Sequence, residues 1–279
     1  MNISIVIPVY NEADRLADCL EAIAAQTLTP YEVIVIDNNS SDDSAAVARR
    51  FSFVTLLTES RQGVVHARNL GFNTARGDII GRIDADTILP PGWTAQIRDI
   101  FKDSSVSAVS GSPHYHDFLL SGITDAVDKM LRANIARKLG DENFLWGANM
   151  AVRQSAWQSV KHELCNQSNL HEDFDLAIHL QANGNKVTYD ENLQASVSLR
   201  RIDTGLVSYV RYTLASPRTY AVHGLASRRH MYPVLMVCWL VYLPARLIYR
   251  GYNMETGTFS LFRLLSASDQ RVDPTTNVI

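Results

Sequence analysis

Residues 77–93 read Gly77-Asp78-Ile79-Ile80-Gly81-Arg82-Ile83-Asp84-Ala85-Asp86-Thr87-Ile88-Leu89-Pro90-Pro91-Gly92-Trp93. The apolar, β-branched run predicts a buried strand, and the Pro-Pro-Gly that follows prevents the strand from continuing. Two carboxylates, those of Asp84 and Asp86, are therefore placed at the carboxyl end of the strand. In an open α/β sheet ligands bind at that end, and carboxylate oxygens suit a hard divalent ion such as Mg²⁺ or Mn²⁺ that carries substrate phosphates. The stretch predicts a metal-dependent site for a nucleotide-linked substrate, although the tripeptide alone is more typical of a solvated turn.

The first hundred residues alternate between strand and helix patterns. Continuous apolar strands are predicted at residues 3–9, 31–37, 53–57 and 78–83, and helices at residues 12–25, 41–51 and 63–76. Repeated βα units with such strands predict an α/β fold with a doubly wound, mostly parallel sheet and helices on both faces. Beyond Trp93 the pattern is looser. It predicts strands at 106–110, 148–152, 186–189 and 195–199, and helices at 122–139, 172–182 and 206–220.

The charge of the chain is unevenly distributed. The 279 residues carry a net charge of −3 and are 46% hydrophobic, which is typical of a folded globular protein. Residues 196–250 contain eight arginines against Asp203 alone, a balance of +7, so the rest of the chain carries −10. We therefore divide the chain into a body, residues 1–200, and a basic, largely helical C-terminal region, residues 201–279. The basic region predicts an anionic partner, but not a nucleic acid, because the body contains no recognisable nucleic-acid-binding module.

An apolar segment, Val234–Leu243, lies within the basic region and is bracketed by prolines. It is shorter than the ~20 residues that a membrane-spanning helix needs, so a full span is not expected. Aromatic residues such as Trp239 and the flanking arginines fit a segment that lies in the interface of an anionic membrane. A helix packed onto the body, or onto a second copy of the chain in a homo-oligomer, fits the pattern equally well.

The cysteines and the N-terminus bear on the compartment. Cys19, Cys165 and Cys238 are far apart and form no Cys-X-X-Cys pair, which predicts a reducing compartment and argues against a structural zinc site. The first eight residues read as a strand and lack the basic region of a secretory signal. We expect a cytoplasmic protein, either free or peripheral on the inner face of the membrane.

Four segments occur in an order that carries a family resemblance. They are residues 4–12 (SIVIPVYNE), residues 33–42 (VIVIDNNSSD), residues 67–71 (ARNLG) leading into residues 84–86, and residues 171–173 (HED). Over about residues 1–201 the chain resembles family 2 of the glycosyltransferases, which have the nucleotide-sugar-binding GT-A fold. The resemblance implies inverting transfer of a sugar from a nucleoside-diphosphate sugar to a hydroxyl of a lipid-linked or envelope-glycan acceptor. It also implies that the body has a nucleotide-binding half, at about residues 1–100, and an acceptor-binding half, at about residues 101–200.

The first two segments suit the nucleoside of the donor. Pro8 would end the first strand, and the loop through Tyr10 and Glu12 would form one wall for the base and ribose. Asp37 and Asn38 follow the second strand, where carboxylate and amide groups would read the edge of a base, although a turn and an N-cap would use the same residues. Relatives often carry a second Asp where this chain has Asn38. A pyrimidine donor, UDP or dTDP, is preferred, and GDP remains open.

The other donor-side residues suit the diphosphate and the ion. The resemblance places Arg68 beside the donor, and an arginine fork suits phosphate, although a solvated or internally paired arginine fits the pattern as well. In the tripeptide Asp84-Ala85-Asp86, Asp86 would bind the ion directly. Asp84 would contact the ribose, or the ion through water. The metal would be Mn²⁺ or Mg²⁺.

Glu172 and Asp173 begin a predicted helix. In relatives with this pair the aspartate is the general base, and the helix dipole favours its ionised form, although carboxylates in a first turn are also ordinary capping residues. Glu172 is the rival base. Many relatives supply a third metal ligand from a histidine after this helix, but residues 196–201 contain none. His171 and His179 are possible substitutes, and Arg200 and Arg201 would either meet a diphosphate or begin the basic surface.

Two other functions fit the sequence less well. A sugar-phosphate nucleotidyltransferase shares the sheet and the acidic site, but it normally has a Gly-rich, basic phosphate loop after the first strand, and residues 10–15 (YNEADR) are not such a loop. A catalytically silent protein that binds sugar nucleotides is the other alternative.

Overall fold

The computed structural model describes residues 1–167, 169–254 and 256–264. Its main sheet contains seven strands, which are β1 (Ile3–Val9), β2 (Glu32–Asp37), β3 (Val54–Thr58), β4 (Ile79–Arg82), β5 (Val106–Tyr115), β6 (Met150–Arg153) and β7 (Lys186–Val197). The strand order is β3-β2-β1-β4-β6-β5-β7. Neighbouring strands are parallel except at β6, which runs antiparallel to both β4 and β5. The predicted mostly parallel sheet is confirmed.

Helices cover both faces of this sheet. In chain order, the helices of the described residues are α1 (Ala13–Ala24), α2 (Ser44–Arg49), α3 (Val64–Thr74), α4 (Trp93–Ile100), α5 (Ser121–Leu139), α6 (Gln154–Val160), α7 (Glu172–Ala182), α8 (Leu206–Val222), α9 (Tyr232–Gly251) and α10 (Leu261–Leu264). Because side chains alternate along a strand, β1 sends Ile5 and Ile7 into one apolar core and Val6 into another. The first core contains Leu16 of α1, and the second contains Leu176 of α7. The sheet is therefore doubly wound, as predicted.

The order of the strands determines where a ligand site forms. β1 and β4 are parallel neighbours, with Ile3 opposite Ile79 and Val6 opposite Arg82. Their carboxyl ends therefore lie side by side at one edge of the sheet. The chain continues from β1 to β2 on one side and from β4 to β5 on the other, and ligands bind in the crevice that such a divergence leaves. The loop that begins at Tyr10 and the tripeptide at residues 84–86 both start at this edge.

The predicted first strand, residues 3–9, is confirmed as β1, but Pro8 lies within it opposite Ile36 of β2 and does not end it. Other predicted boundaries differ from the structure. α2 begins at Ser44 rather than at residue 41. The strands predicted at residues 186–189 and 195–199 are halves of the single strand β7, whose register against β5 shifts between Gly111 and Ser112. The sequence between the halves, residues 190–194, is polar enough to resemble a turn. Asp190 and Gln194 pair with Gly111 and Ser112 of β5, and residues 191–193 form the bulge between them.

The described part of the C-terminal region, residues 201–254 and 256–264, is largely helical, as expected, and residues 265–279 of that region lie outside the described residues. Its apolar helix is longer than predicted. α9 contains 20 residues because Pro233 lies in its first turn, where a missing N–H is tolerated, and the helix continues through Pro244. Among the described residues one helical stretch, Ala226–Gly251, is long and apolar enough to cross a membrane by length and composition. A small hairpin of β8 (Tyr252–Asn253) and β9 (Thr258–Phe259) follows α9.

One face of α9 is exposed and apolar. The side chains on this face are three or four residues apart in the sequence. They are Met236 (66% exposed), Leu240 (80%), Leu243 (58%) and Leu247 (55%). Residues at this spacing lie on one side of a helix, and we call this set the α9 stripe. Two arginines of the basic region pair with an acidic side chain instead. The Nε atoms of Arg246 and Arg250 lie 3.5 Å and 3.4 Å from Oδ1 of Asp203.

Candidate active site

A cavity of about 570 Å³ opens where the carboxyl ends of β1 and β4 meet the first turn of α7. A 3-10 turn at Arg200–Asp203 and residues of α8 close its other side. The predicted site residues that line it are Pro8, Tyr10, Glu12, Asn38, Asp84, Ala85, Asp86, Glu172, Asp173, Arg200 and Arg201. Asp37 and Arg68 are not among the lining residues. Segments up to 190 residues apart in the chain thus meet at the edge of the sheet that the sequence indicated.

The acidic pair at the end of β4 is paired with arginines. Oδ1 of Asp84 lies 3.1 Å from Nη2 of Arg82. Oδ2 of Asp86 accepts a hydrogen bond of 2.9 Å from Nε of Arg200 and lies 2.8 Å from Nη2 of the same guanidinium. Nη2 of Arg200 also donates to Oε1 of Glu12. Because Asp86, Glu12 and Arg200 are all less than 10% exposed, this network is a fixed cluster of charges inside the cavity.

Arg82 was missed by the sequence analysis. Its Nη1 lies 3.0 Å from Oε1 of Glu172, and its Nη2 reaches Asp84, so it joins the β4 end to the start of α7. The guanidinium lies so close to the backbone of Gly147 that a Cβ built there would be 1.2 Å from Nη1. The signal in the sequence was a charged residue inside an apolar strand, because such a residue is buried only when it is paired.

Glu172 is neutralised by two buried arginines. Its Oε2 accepts a hydrogen bond of 2.6 Å from Nη1 of Arg68, and its Oε1 faces Arg82. Burial raises the pKa of Glu172, but the charges of Arg82 and Arg68 outweigh burial and hold the pKa below its usual value. A carboxylate held in this way is a poor proton acceptor.

Asp173 has different partners. Its Oδ2 accepts from the backbone N–H of Gly147 at 2.8 Å, and its Oδ1 accepts from the backbone N–H of Phe174 at 2.9 Å. Burial, reinforced by the negative charge of Glu172, raises the pKa of Asp173 to about 7, and Arg82 and the two N–H groups only partly oppose that shift. The helix dipole therefore does not dominate, contrary to the expectation of a fully ionised group. A pKa near neutrality suits a general base.

Two residues that were predicted to contact the donor have other partners in the structure. Arg68 is fully buried beneath α7, where it donates to both the side chain and the backbone carbonyl of Glu172. It holds the first turn of α7 in place instead of facing the cavity. Asp37 accepts from the backbone N–H of Ser40 at 3.1 Å, which is the turn interaction that the sequence also allowed.

Asn38 lines the cavity, but its side chain holds a loop. Its Nδ2 donates to the carbonyl oxygens of Glu59 and Arg61, and its Oδ1 accepts from the backbone N–H of Gly63. These three bonds fix the loop before α3. They explain why an amide stands where relatives often carry a carboxylate, because a carboxylate cannot donate to the two carbonyls.

The two histidines suggested as third metal ligands lie in different surroundings. His171 lines the cavity, and its Nε2 lies 3.1 Å from the carbonyl oxygen of Tyr212. His179 lies two turns further along α7 and faces Asp175 and Glu163 instead of the acidic pair. Arg201 stacks on the ring of Tyr212 at 3.8 Å.

Comparisons with known proteins identify a family. The model of the glycosyl transferase family 2 matches residues 4–160. Glycosyltransferase AglE of Haloferax volcanii is 28% identical over 165 residues, which are 57% of this chain and 54% of that protein. Undecaprenyl-phosphate 4-deoxy-4-formamido-L-arabinose transferase of Yersinia enterocolitica is 30% identical over 149 residues, 50% of this chain and 46% of that protein. The chain thus spans about half the length of the curated relatives it matches.

A solved structure extends the likeness of the fold. The mannosyltransferase PcManGT of Pyrobaculum calidifontis, in complex with GDP-Man and Mn²⁺, superposes with a TM-score of 0.62 at 20% identity and covers 95% of this chain and 77% of that one. The predicted GT-A fold is therefore confirmed. Since the family model matches more than half of the chain, the protein belongs to glycosyl transferase family 2.

Proposed function

We propose that this protein is an inverting glycosyltransferase that moves a sugar from a nucleoside-diphosphate sugar to an acceptor hydroxyl. The observation that carries the proposal is the setting of Asp173, a buried carboxylate in the donor cavity whose pKa is raised to about 7. UDP and dTDP sugars remain the preferred donors. GDP sugars are the alternative, since the solved neighbour PcManGT is described in complex with GDP-Man.

The reaction that we propose is a single displacement. The acceptor oxygen forms a bond to the anomeric carbon of the sugar while the bond from that carbon to the diphosphate breaks. The proton of the acceptor hydroxyl passes to Asp173, and the nucleoside diphosphate leaves. Glu172 does not take the proton in this scheme, because Arg68 and Arg82 hold it as an anion.

The residues at the end of β4 fit a divalent ion. Asp84 and Asp86 both line the cavity, and carboxylate oxygens are the ligands that a hard divalent ion prefers. An Mn²⁺ or Mg²⁺ ion held by this pair would neutralise the charge that builds on the departing diphosphate. Arg200 and Arg201 would bind the diphosphate oxygens, for which an arginine fork is suited.

We further propose that the acceptor is carried by a lipid or belongs to an envelope glycan and that the protein works at the inner face of the membrane. The relative from Yersinia enterocolitica acts, by its name, with undecaprenyl phosphate. The α9 stripe is apolar and exposed, and Arg228 and Arg229, both exposed, precede it in the chain. Apolar surface beside basic residues suits the interface of an anionic membrane.

The experiment is a donor panel. The purified protein is incubated with Mn²⁺ and one nucleotide sugar at a time, and slow hydrolysis to the nucleoside diphosphate is measured. We expect hydrolysis with at least one donor and less of it when EDTA removes the ion. Release of pyrophosphate from a nucleoside triphosphate and a sugar phosphate would show a nucleotidyltransferase instead. Binding of donors without any turnover would show a silent binding protein.

A further inference from the structure

We propose that Cys165, Asp175, His179 and His223 bind a structural zinc ion behind the active site. One ligand atom from each residue lies within 4.8 Å of the other three. The four come from three separate segments, which are the loop before α7, α7 itself and the residue that follows α8. The sequence argued against a structural zinc site because the three cysteines form no Cys-X-X-Cys pair. The fold brings one of them, Cys165, together with two histidines and a carboxylate, which the sequence alone does not show.

Two of the distances between ligand atoms are close to those of a tetrahedral zinc site. Zinc bonds of roughly 2.0–2.3 Å place neighbouring ligand atoms about 3.3–3.8 Å apart. Sγ of Cys165 lies 3.8 Å from Nε2 of His223, and Nε2 of His179 lies 3.6 Å from Oδ1 of Asp175. Nε2 of His223 and Oδ1 of Asp175 are closer, at 2.8 Å, which is the hydrogen bond that this pair makes on its own.

The polar groups of the cluster point toward a shared cation. Asp175 is 1% exposed, yet two imidazoles and a thiol approach its side chain. Nε2 of His179 is buried and makes no hydrogen bond to any residue within 1–167, 169–254 and 256–264. A buried ring nitrogen without a partner is costly, and a metal bond would satisfy it. Thiolate and imidazole ligands favour zinc over the Mg²⁺ or Mn²⁺ expected at Asp84 and Asp86.

Neighbouring groups hold the ligands as metal sites require. The other carboxylate oxygen of Asp175 accepts from the backbone N–H of Cys165 at 2.9 Å. The second ring nitrogen of His179 faces Glu163 at 3.7 Å, and Asn183 fixes that glutamate with a hydrogen bond of 2.8 Å. A carboxylate behind a metal-binding histidine orients the ring and raises its basicity.

The proposed ion would hold α7 in place. Asp175 and His179 lie on the helix that begins with Glu172 and Asp173, while His223 ends α8 and Cys165 precedes α7. With four protein ligands the site is closed, as structural zinc sites are. The inference concerns these four residues alone and does not depend on the reaction proposed for the cavity.

The test measures metal content. The full chain is produced without a histidine tag, and its zinc is quantified by mass spectrometry. We expect about one zinc per chain, and a loss of most of it in Cys165→Ser and in His223→Gln. The matched controls Cys238→Ser and His162→Ala are expected to keep the zinc. Zinc that persists in both Cys165→Ser and His223→Gln would overturn the proposal.

Cobalt substitution decides the case even where a variant fails to fold. Co²⁺ added to the metal-free wild type should produce a thiolate-to-cobalt charge-transfer band, because the site includes a cysteine. The same band should appear in Cys238→Ser. The acidic pair at Asp84 and Asp86 offers only oxygen ligands and would give no such band. A wild type that contains no zinc and takes up Co²⁺ without this band would contradict the proposed site.

Discussion

The end of β4 and the start of α7 both place carboxylates on one cavity, but the partners of these carboxylates differ. At the end of β4, guanidinium groups from Arg82 and Arg200 balance Asp84 and Asp86. At the start of α7, Asp173 receives two backbone N–H groups and lies beside the negative charge of Glu172. A full opposite charge close to a carboxylate favours its ionised form. Partial charge partners in a buried place leave a carboxylate whose pKa is near neutrality, which suits proton transfer.

The largest expected effect tests the α7 side of this comparison. Asp173→Asn removes the proton acceptor, so transfer should fall by at least the ~10² expected for loss of a general base. Donor binding should stay near that of the wild type, because the donor-side carboxylates are unchanged. Steady-state rates and calorimetric titration of the donor measure the two quantities. Activity that survives in Asp173→Asn and is lost in Glu172→Gln would reverse the roles.

The second prediction breaks the connection between the two regions. In Gly147→Ala the new methyl group would overlap the guanidinium of Arg82, which must then leave Glu172 and Asp84. Breaking a buried ion pair costs about 3–5 kcal/mol, so we expect a lower melting temperature together with lower transfer. Gly92→Ala is the matched control, since a Cβ there meets nothing within 4 Å. Equal melting temperatures for the two variants would show that Arg82 does not hold this connection.

The third prediction concerns the cation at the β4 end. In Asp86→Asn, Mn²⁺ should no longer strengthen the binding of UDP or of the preferred donor nucleotide, because one of two carboxylate ligands is gone. Calorimetric titrations with and without Mn²⁺ measure this difference. Asp99→Asn, an exposed change on α4, serves as the control. If the metal-dependent gain in affinity is the same in Asp86→Asn and in the control, the ion does not bind at Asp86.

The smallest expected effect lies outside the cavity, at the two arginines that precede the α9 stripe in the chain. Changing Arg228 and Arg229 to Ser should weaken binding to anionic vesicles by roughly thirtyfold, since each basic residue near such a surface contributes about 1 kcal/mol. Added salt should weaken the binding of the wild type as well. Co-sedimentation with anionic and with neutral vesicles measures both effects. Equal binding to the two kinds of vesicle, or a stable dimer that buries the stripe, would contradict a membrane role.

The two regions also differ in how far the sequence predicted them. The strands β1 to β4 and the placement of Asp84 and Asp86 followed from local patterns, because a buried parallel strand is a continuous apolar run. The partners of these residues did not follow. Arg200 meets Asp86 across 114 residues of chain, and Arg68 meets Glu172 across 104. Such pairs are created by the fold, and no local spacing marks them.

The raised pKa of Asp173 shows the same limit. Its position in the first turn of a helix was visible in the sequence and favoured the ionised form. Its burial and the charge of its neighbour were visible only in three dimensions, and they outweigh the dipole. The length of α9 differed as well, because Pro233 and Pro244 were expected to bracket a shorter segment, whereas Pro233 lies in the first turn and the helix continues through Pro244.

The central claim is that Asp173 is the base, and the pH dependence of kcat/KM tests it most directly. In the free enzyme the carboxyl group of Asp173 must be deprotonated before it can accept a proton. The value of kcat/KM should therefore rise with pH and level off above an apparent pKa of about 7. In Asp173→Asn the residual rate should lack this rise. A wild-type profile that is flat from about pH 5.5 to 8.5, or the same rise in Asp173→Asn, would contradict the assignment.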